Sequence, residues 1–137
     1  SVPITLNTST NLTLNLTTNP SGVVVPGQVV TFTLDFANET AILMKNIAVT
    51  IPIPNALDFK VDSLSANLQT SGLTLTMKYS NDNGATWTYT PVSGGGGAPA
   101  GYDRNVNAIR AEAVPTQTLS FTPPNNSATI IFQTRVK

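Results

Sequence analysis

Apolar residues fall on every second position along most of this chain, and a period of two leaves little choice of fold. In "QVVTFTLDFAN", Val30, Phe32, Leu34 and Phe36 line one face, and Thr31, Thr33 and Asp35 the other. "NIAVTIPIP" sets Ile47, Val49, Ile51 and Ile53 together, and Pro52 and Pro54 confine its end to a sheet edge or exit. "ALDFKVDSL" alternates Leu57, Phe59 and Val61 with Asp58, Lys60 and Asp62, which are expected on solvent faces. "LTLTMKYS" and "SATIIFQTRV" keep the same rhythm, and "TWTYTP", "NVNAIRAEAV" and "TQTLSFTPP" read as further short strands. No segment repeats at the helical period. Asn19-Pro20-Ser21-Gly22 and Pro26-Gly27 are turn signals between strands. The pattern predicts an all-β, antiparallel β-sandwich of about eight or nine strands with an N-terminal extension strand. At 137 residues the chain suits one core. The run from Gly94 to Gly97 then reads as a flexible loop, because both flanks are needed for that core.

The N-terminus carries the most unusual stretch, "ITLNTSTNLTLNL" from residue 4 to residue 16. Ile4, Leu6, Leu12, Leu14 and Leu16 share one face, which Val2 extends, and Thr, Asn and Ser hold the other. Pro3 and Pro20 bracket the stretch, and no charge lies within it. A bare strand edge of this kind invites pairing, so it must be covered. It either runs on in its own sheet as one strand of about 13 residues, against a usual five or six, or completes the sandwich of a neighbouring copy by strand addition.

Five N-x-[ST] sequons occur, at Asn7, Asn11, Asn15, Asn38 and Asn125. The first three stand four residues apart, so on an extended strand they point to one face at intervals of about 13 Å. They read either as a glycan-bearing exterior face or as plain β-favouring filler.

Composition narrows the function classes. Seven basic residues balance seven acidic ones, so charge attracts neither nucleic acid nor an anionic membrane. Only 10% of residues are charged, which leaves little repulsion against self-association. No apolar run reaches the roughly 18 residues of a membrane span. Cysteine and histidine are both absent, which removes the commonest nucleophile and general base. No carboxylate pair, phosphate-binding glycine motif or metal-ligand spacing appears, so the expectation is a protein that is not an enzyme and has no cofactor or metal. A start at Ser1 rather than Met is expected of a processed, secreted chain.

"SNDNGATW" fits the pattern Ser-x-Asp-x-Gly-x-Thr-Trp through Ser80, Asp82, Gly84, Thr86 and Trp87. This resembles the Asp box, a hairpin motif of sialidase propeller blades, but it occurs once in a chain too short for a propeller. The physics is structural: Asp82 accepts amides across the turn, Gly84 supplies a positive φ, and Trp87 packs beneath. Read as a calcium loop it fails, because the frame requires Glu where Val92 stands. Trp87, Tyr79, Tyr89 and Tyr102 are candidates for a sugar platform, though aromatics in a sandwich are more often core or hairpin cover.

"VVPGQVVTFTLDFAN" followed by "KNIAVTIPIPNALDF" resembles the conserved Ig-like repeat domain of bacterial and archaeal cell-surface proteins. "YSNDNGATWTYTP", "YDRNVNAIRAEA" and "SATIIFQTRVK" resemble that family's later strands. The likeness spans residues 12–137 and implies an Ig-like fold, a cell-surface location and no catalytic residue. It leaves residues 1–11 as an N-terminal extension. The family strings such domains into anchored chains, whereas this chain carries one copy without an anchor motif. The resulting expectation is an extracellular, N-glycosylated filament or pilus subunit. Copies would join head-to-tail when the extension, a donor strand, enters the next sandwich, with Val2, Ile4, Leu6, Leu12, Leu14 and Leu16 at the joint. The expected partners are copies of itself and N-linked glycans, as in donor-strand filaments of archaea and bacteria. The alternatives are a monomeric Ig-like module of a surface layer, adhesin or virion protein, and a carbohydrate-binding module.

Overall fold

The computed structural model describes residues 12–137 and, as backbone, Asn7–Thr8. Every regular element among them is a strand: β1 Asn7–Thr8, β2 Thr13–Asn19, β3 Val29–Ala37, β4 Ala48–Pro52, β5 Leu57–Lys60, β6 Ser65–Asn67, β7 Leu75–Ser80, β8 Tyr102–Asp103, β9 Ala108–Ala113 and β10 Ser127–Val136. They form two antiparallel sheets of a β-sandwich. One runs β1-β4-β9-β7, and the other runs β2-β3-β10-β5-β8, with β6 also paired to β10. Among the described residues no helix is long and apolar enough to cross a membrane.

The centre of the larger sheet is β3 against β10, paired from Val29↔Arg135 to Ala37↔Ser127. Their alternation is read out as expected. Val30, Phe32, Leu34 and Phe36 are buried on one strand, and Ala128, Ile130, Phe132 and Val136 on the other. A slip of one residue would turn all of these to water, so the core pins the register. Phe32 stacks on Phe132 at 4.8 Å between ring centres, and Phe59 from β5 tilts against Phe132 at 6.3 Å. Val49, Ile51 and Ile109 close the core from the smaller sheet.

β5 and β6 share one flank of β10 and are split by a turn in which Asp62 holds φ at 64°. Ser63 fills the break: its Oγ donates to Lys60 O at 2.7 Å and accepts Gln133 N at 3.0 Å. Asp62 is thus a turn residue rather than a strand residue. The stretches "TWTYTP" and "TQTLSFTPP" contribute single bridges, Tyr79↔Tyr89 and Met44↔Leu119, where strands were expected.

Candidate subunit interface

The N-terminal segment is divided between the sheets. β1 pairs with β4 of the smaller sheet, Asn7 opposite Thr50 and Thr8 opposite Val49. β2 pairs with β3 of the larger sheet from Thr13↔Ala37 to Asn19↔Thr31. One continuous strand of the whole stretch is therefore not formed. Leu12, Leu14 and Leu16 are half-buried and pack against the core from β2. Val2, Ile4, Leu6, Asn11 and the Asn7 side chain lie outside the described residues. On β4, Val49 and Ile51 are buried and point inward, while Thr50 between them is half-buried.

The sequons separate by environment. Asn15 is exposed at the middle of β2, and Asn125 is exposed in the turn closed by Asn125 N donating to Thr122 O at 3.0 Å. Asn38 is a correction: it is fully buried. Its Nδ2, the atom a sugar would join, donates to Ile42 O at 2.8 Å and to Leu119 O at 3.1 Å. Its Oδ1 accepts Thr40 N at 3.0 Å and Thr40 Oγ1 at 2.6 Å. Asn38 thus ties the loop after β3 to the segment around Leu119, and Thr40 braces it within the loop. The folded protein has no room for a glycan there.

The 80–87 segment is the structural hairpin that its spacing predicts. Ser80 Oγ donates to Asp82 Oδ1 at 2.6 Å and accepts Gly84 N at 2.8 Å. Thr86 donates its N–H to Asp82 Oδ1 at 2.9 Å and its hydroxyl to Oδ2 at 2.6 Å. These donors, Ser80 first and Thr86 next, hold the Asp82 carboxyl at about 2, below its ordinary 3.8. Gly84 sits at φ 90°, and a Cβ there would touch the Trp87 ring at 3.4 Å. Arg110 stacks over that ring at 5.7 Å from its centre and pairs with Glu112, which also pairs with Lys78.

Two carboxylates escape a reading by alternation. Asp58 is fully buried, not on a solvent face as expected. Arg104 compensates the charge with a fork, Nε to Oδ1 at 2.9 Å and Nη2 to Oδ2 at 3.0 Å. Asp103, equally buried, accepts Tyr89 Oη at 2.7 Å, Val92 N at 2.8 Å and Asn105 N at 2.8 Å.

The tetraglycine run wraps Asp103 and is anchored, which corrects the expectation of a flexible loop. Gly94 N donates to Tyr102 O at 2.7 Å, and Arg104 N donates to Gly95 O at 2.8 Å. Two of the four aromatics proposed for a sugar platform are engaged by the fold. Tyr89 bonds Asp103, Tyr79 packs on Phe59 at 5.5 Å, and Trp87 and Tyr102 are half-buried.

The outer edge of β4 was invisible in the sequence. "AVTIP" gives a strand, but only pairing reveals which side β9 leaves open. Among the described residues no three His, Cys, Asp or Glu side chains form a metal-binding group. Comparison with protein-family models, with curated proteins and with solved structures gave no match.

Proposed function

We propose that this protein is the structural subunit of an extracellular filament. Copies join head-to-tail when the N-terminal segment of one takes the place beside β4 of the next. The observation that supports the reading is the register that the chain's own Asn7–Thr8 takes along its own β4, Asn7 opposite Thr50 and Thr8 opposite Val49. A donor strand kept in that antiparallel register sets Leu6 opposite Ile51 and Ile4 opposite Ile53. Both acceptor positions are buried and belong to the core. The apolar face of the donor then continues the apolar face of the acceptor sheet. Each aliphatic buried in this way contributes about 1.5–3 kcal/mol, before the entropy of ordering the segment is subtracted.

Among the described residues the smaller sheet has three strands without β1, and the larger has six, so β4 is the edge that a donor strand would complete. A heterologous contact repeated in one direction builds an open filament. In this reading the domain is an Ig-like surface module without enzymatic activity. The exposed sequon at Asn125 carries its glycan. The engagement of Tyr79 and Tyr89 by the core counts against a carbohydrate-binding module.

Cross-linking of separate chains tests the proposal. Chains carrying Asn7→Cys are mixed with chains carrying Thr50→Cys and oxidised after assembly. Cysteine is otherwise absent, so every disulfide is an engineered one. Covalent joining of the two kinds of chain, together with filaments by negative-stain microscopy, is expected. Filaments that persist after deletion of residues 1–11 would sink the reading.

A further inference from the structure

The outer edge of β2 is a second pairing surface, distinct from the β4 edge and independent of strand exchange. Among the described residues nothing pairs with it, for β2 ends its sheet. Of the other strands that end a sheet, β7 and β8 are protected. β7 carries Lys78 and is bridged by Tyr89, and β8 is two residues long. β2 has seven residues, no charge and no proline, so none of the usual devices against edge pairing is present.

The direction of its free groups follows from the ladders. Asn38 N donates to Asn126 O, and Val136 N to Gln28 O, so even-numbered residues of β3 face β10. Odd-numbered residues of β3 then face β2, through Asn15↔Asp35 and Thr17↔Thr33. It follows that Leu14, Leu16 and Thr18 direct their backbone N–H and C=O groups outward.

The sequence of this edge is self-complementary. "TLNLT", residues 13 to 17, reads the same in both directions about Asn15. The symmetry extends to Asn11 and Asn19, broken only where Leu12 mirrors Thr18. An isologous contact requires this property, because each residue meets its mirror position on the second copy.

We infer that β2 pairs antiparallel with β2 of a second copy about a two-fold axis at Asn15, joining the two larger sheets. Leu14 exchanges both backbone hydrogen bonds with Leu16 of the other copy. Thr13 stands opposite Thr17, and Asn15 opposite itself. The half-buried leucines of both copies meet on the core side, and Thr and Asn on the outside. Asn15 forms a non-hydrogen-bonded pair, with Cα atoms about 4.5 Å apart and side chains close. A glycan on Asn15 would stand on the axis against its own twin, so an occupied sequon closes this surface. In a filament, the contact joins neighbouring strands sideways.

Disulfide trapping on the full chain tests the pairing, read on non-reducing gels. Asn15→Cys is expected to form a covalent dimer. Thr13→Cys, equally exposed, is expected to link at least about tenfold more slowly, since its mirror position is Thr17 and proximity sets the rate. The double variant Thr13→Cys/Thr17→Cys is expected to link again, and adding Asn15→Lys to it to suppress the linkage by placing like charges on the axis. Equal rates for Asn15→Cys and Thr13→Cys would overturn the inference, as would linkage of the double variant that Asn15→Lys leaves unchanged.

Discussion

Replacing Gly95 by alanine isolates what the tetraglycine run is for. Three of the four glycines, Gly94, Gly96 and Gly97, have positive φ, and Gly95 does not. Backbone conformation alone therefore ranks Gly95 as the most tolerant position. Packing reverses the ranking. A Cβ on Gly95 would overlap Asp103 Oδ1 and lie 2.5 Å from Cγ and 2.8 Å from Oδ2, whereas one on Gly94 meets nothing closer than Ala98 O at 3.8 Å.

The carboxylate cannot yield freely, because it is buried and holds Tyr89, Val92 and Asn105. Bonds to a charged acceptor are worth about 1.5–3 kcal/mol each, and at least two must break for the methyl to fit. The expected loss for Gly95→Ala is about 3–5 kcal/mol, a large part of a typical domain's stability. For Gly94→Ala only the left-handed backbone is strained, at about 1–2 kcal/mol. Urea unfolding followed by tryptophan fluorescence measures both. At a slope of about 2 kcal/mol per molar, Gly95→Ala lowers the midpoint by about 2 M. A Gly94→Ala variant as damaged as Gly95→Ala, or more so, would refute the argument that Asp103 dictates this loop.

Two further outcomes follow from the same geometry. Asp82 has its folded carboxyl lowered to about 2 from 3.8, so its contribution is fully present above about pH 4 and fades as pH falls toward 2. Thermal melts between pH 5 and 2 should lose less stability in Asp82→Asn than in the wild type, and equal slopes would remove Asp82 from the account. Peptide mass spectrometry of protein secreted by a glycosylating host should find Asn38 unmodified while Asn15 or Asn125 carries sugar. A glycan on Asn38 of folded protein would contradict its burial.

Much of the fold was legible because a half-buried strand writes itself in alternation. β3 and β10 were read residue by residue from Val30 to Phe36 and from Ala128 to Val136. The hairpin at Ser80–Trp87 was equally legible, since its bonds are local and its spacing fixes them. Alternation misled at Asp58, whose partner Arg104 lies 46 residues away. The sequon misled at Asn38, where the even-numbered alternation of β3 simply continues inward and the side chain anchors a buried loop. Single-residue exceptions to a pattern are set by distant partners, and a local pattern has no access to those.

By itself the sequence determined that the fold is built from strands, which face of β3 and β10 turns inward, and that the N-terminal stretch is apolar on one side and uncharged. It also fixed the mirror symmetry about Asn15. The tertiary structure decided which edges are open. It assigned Asn7–Thr8 to β4 and Thr13–Asn19 to β3, and it turned the outward hydrogen-bonding groups of β2 to solvent. The reason is that alternation specifies faces, whereas edges are specified by pairing between segments far apart in the chain. An edge becomes a joint only after the rest of the sheet has formed around it.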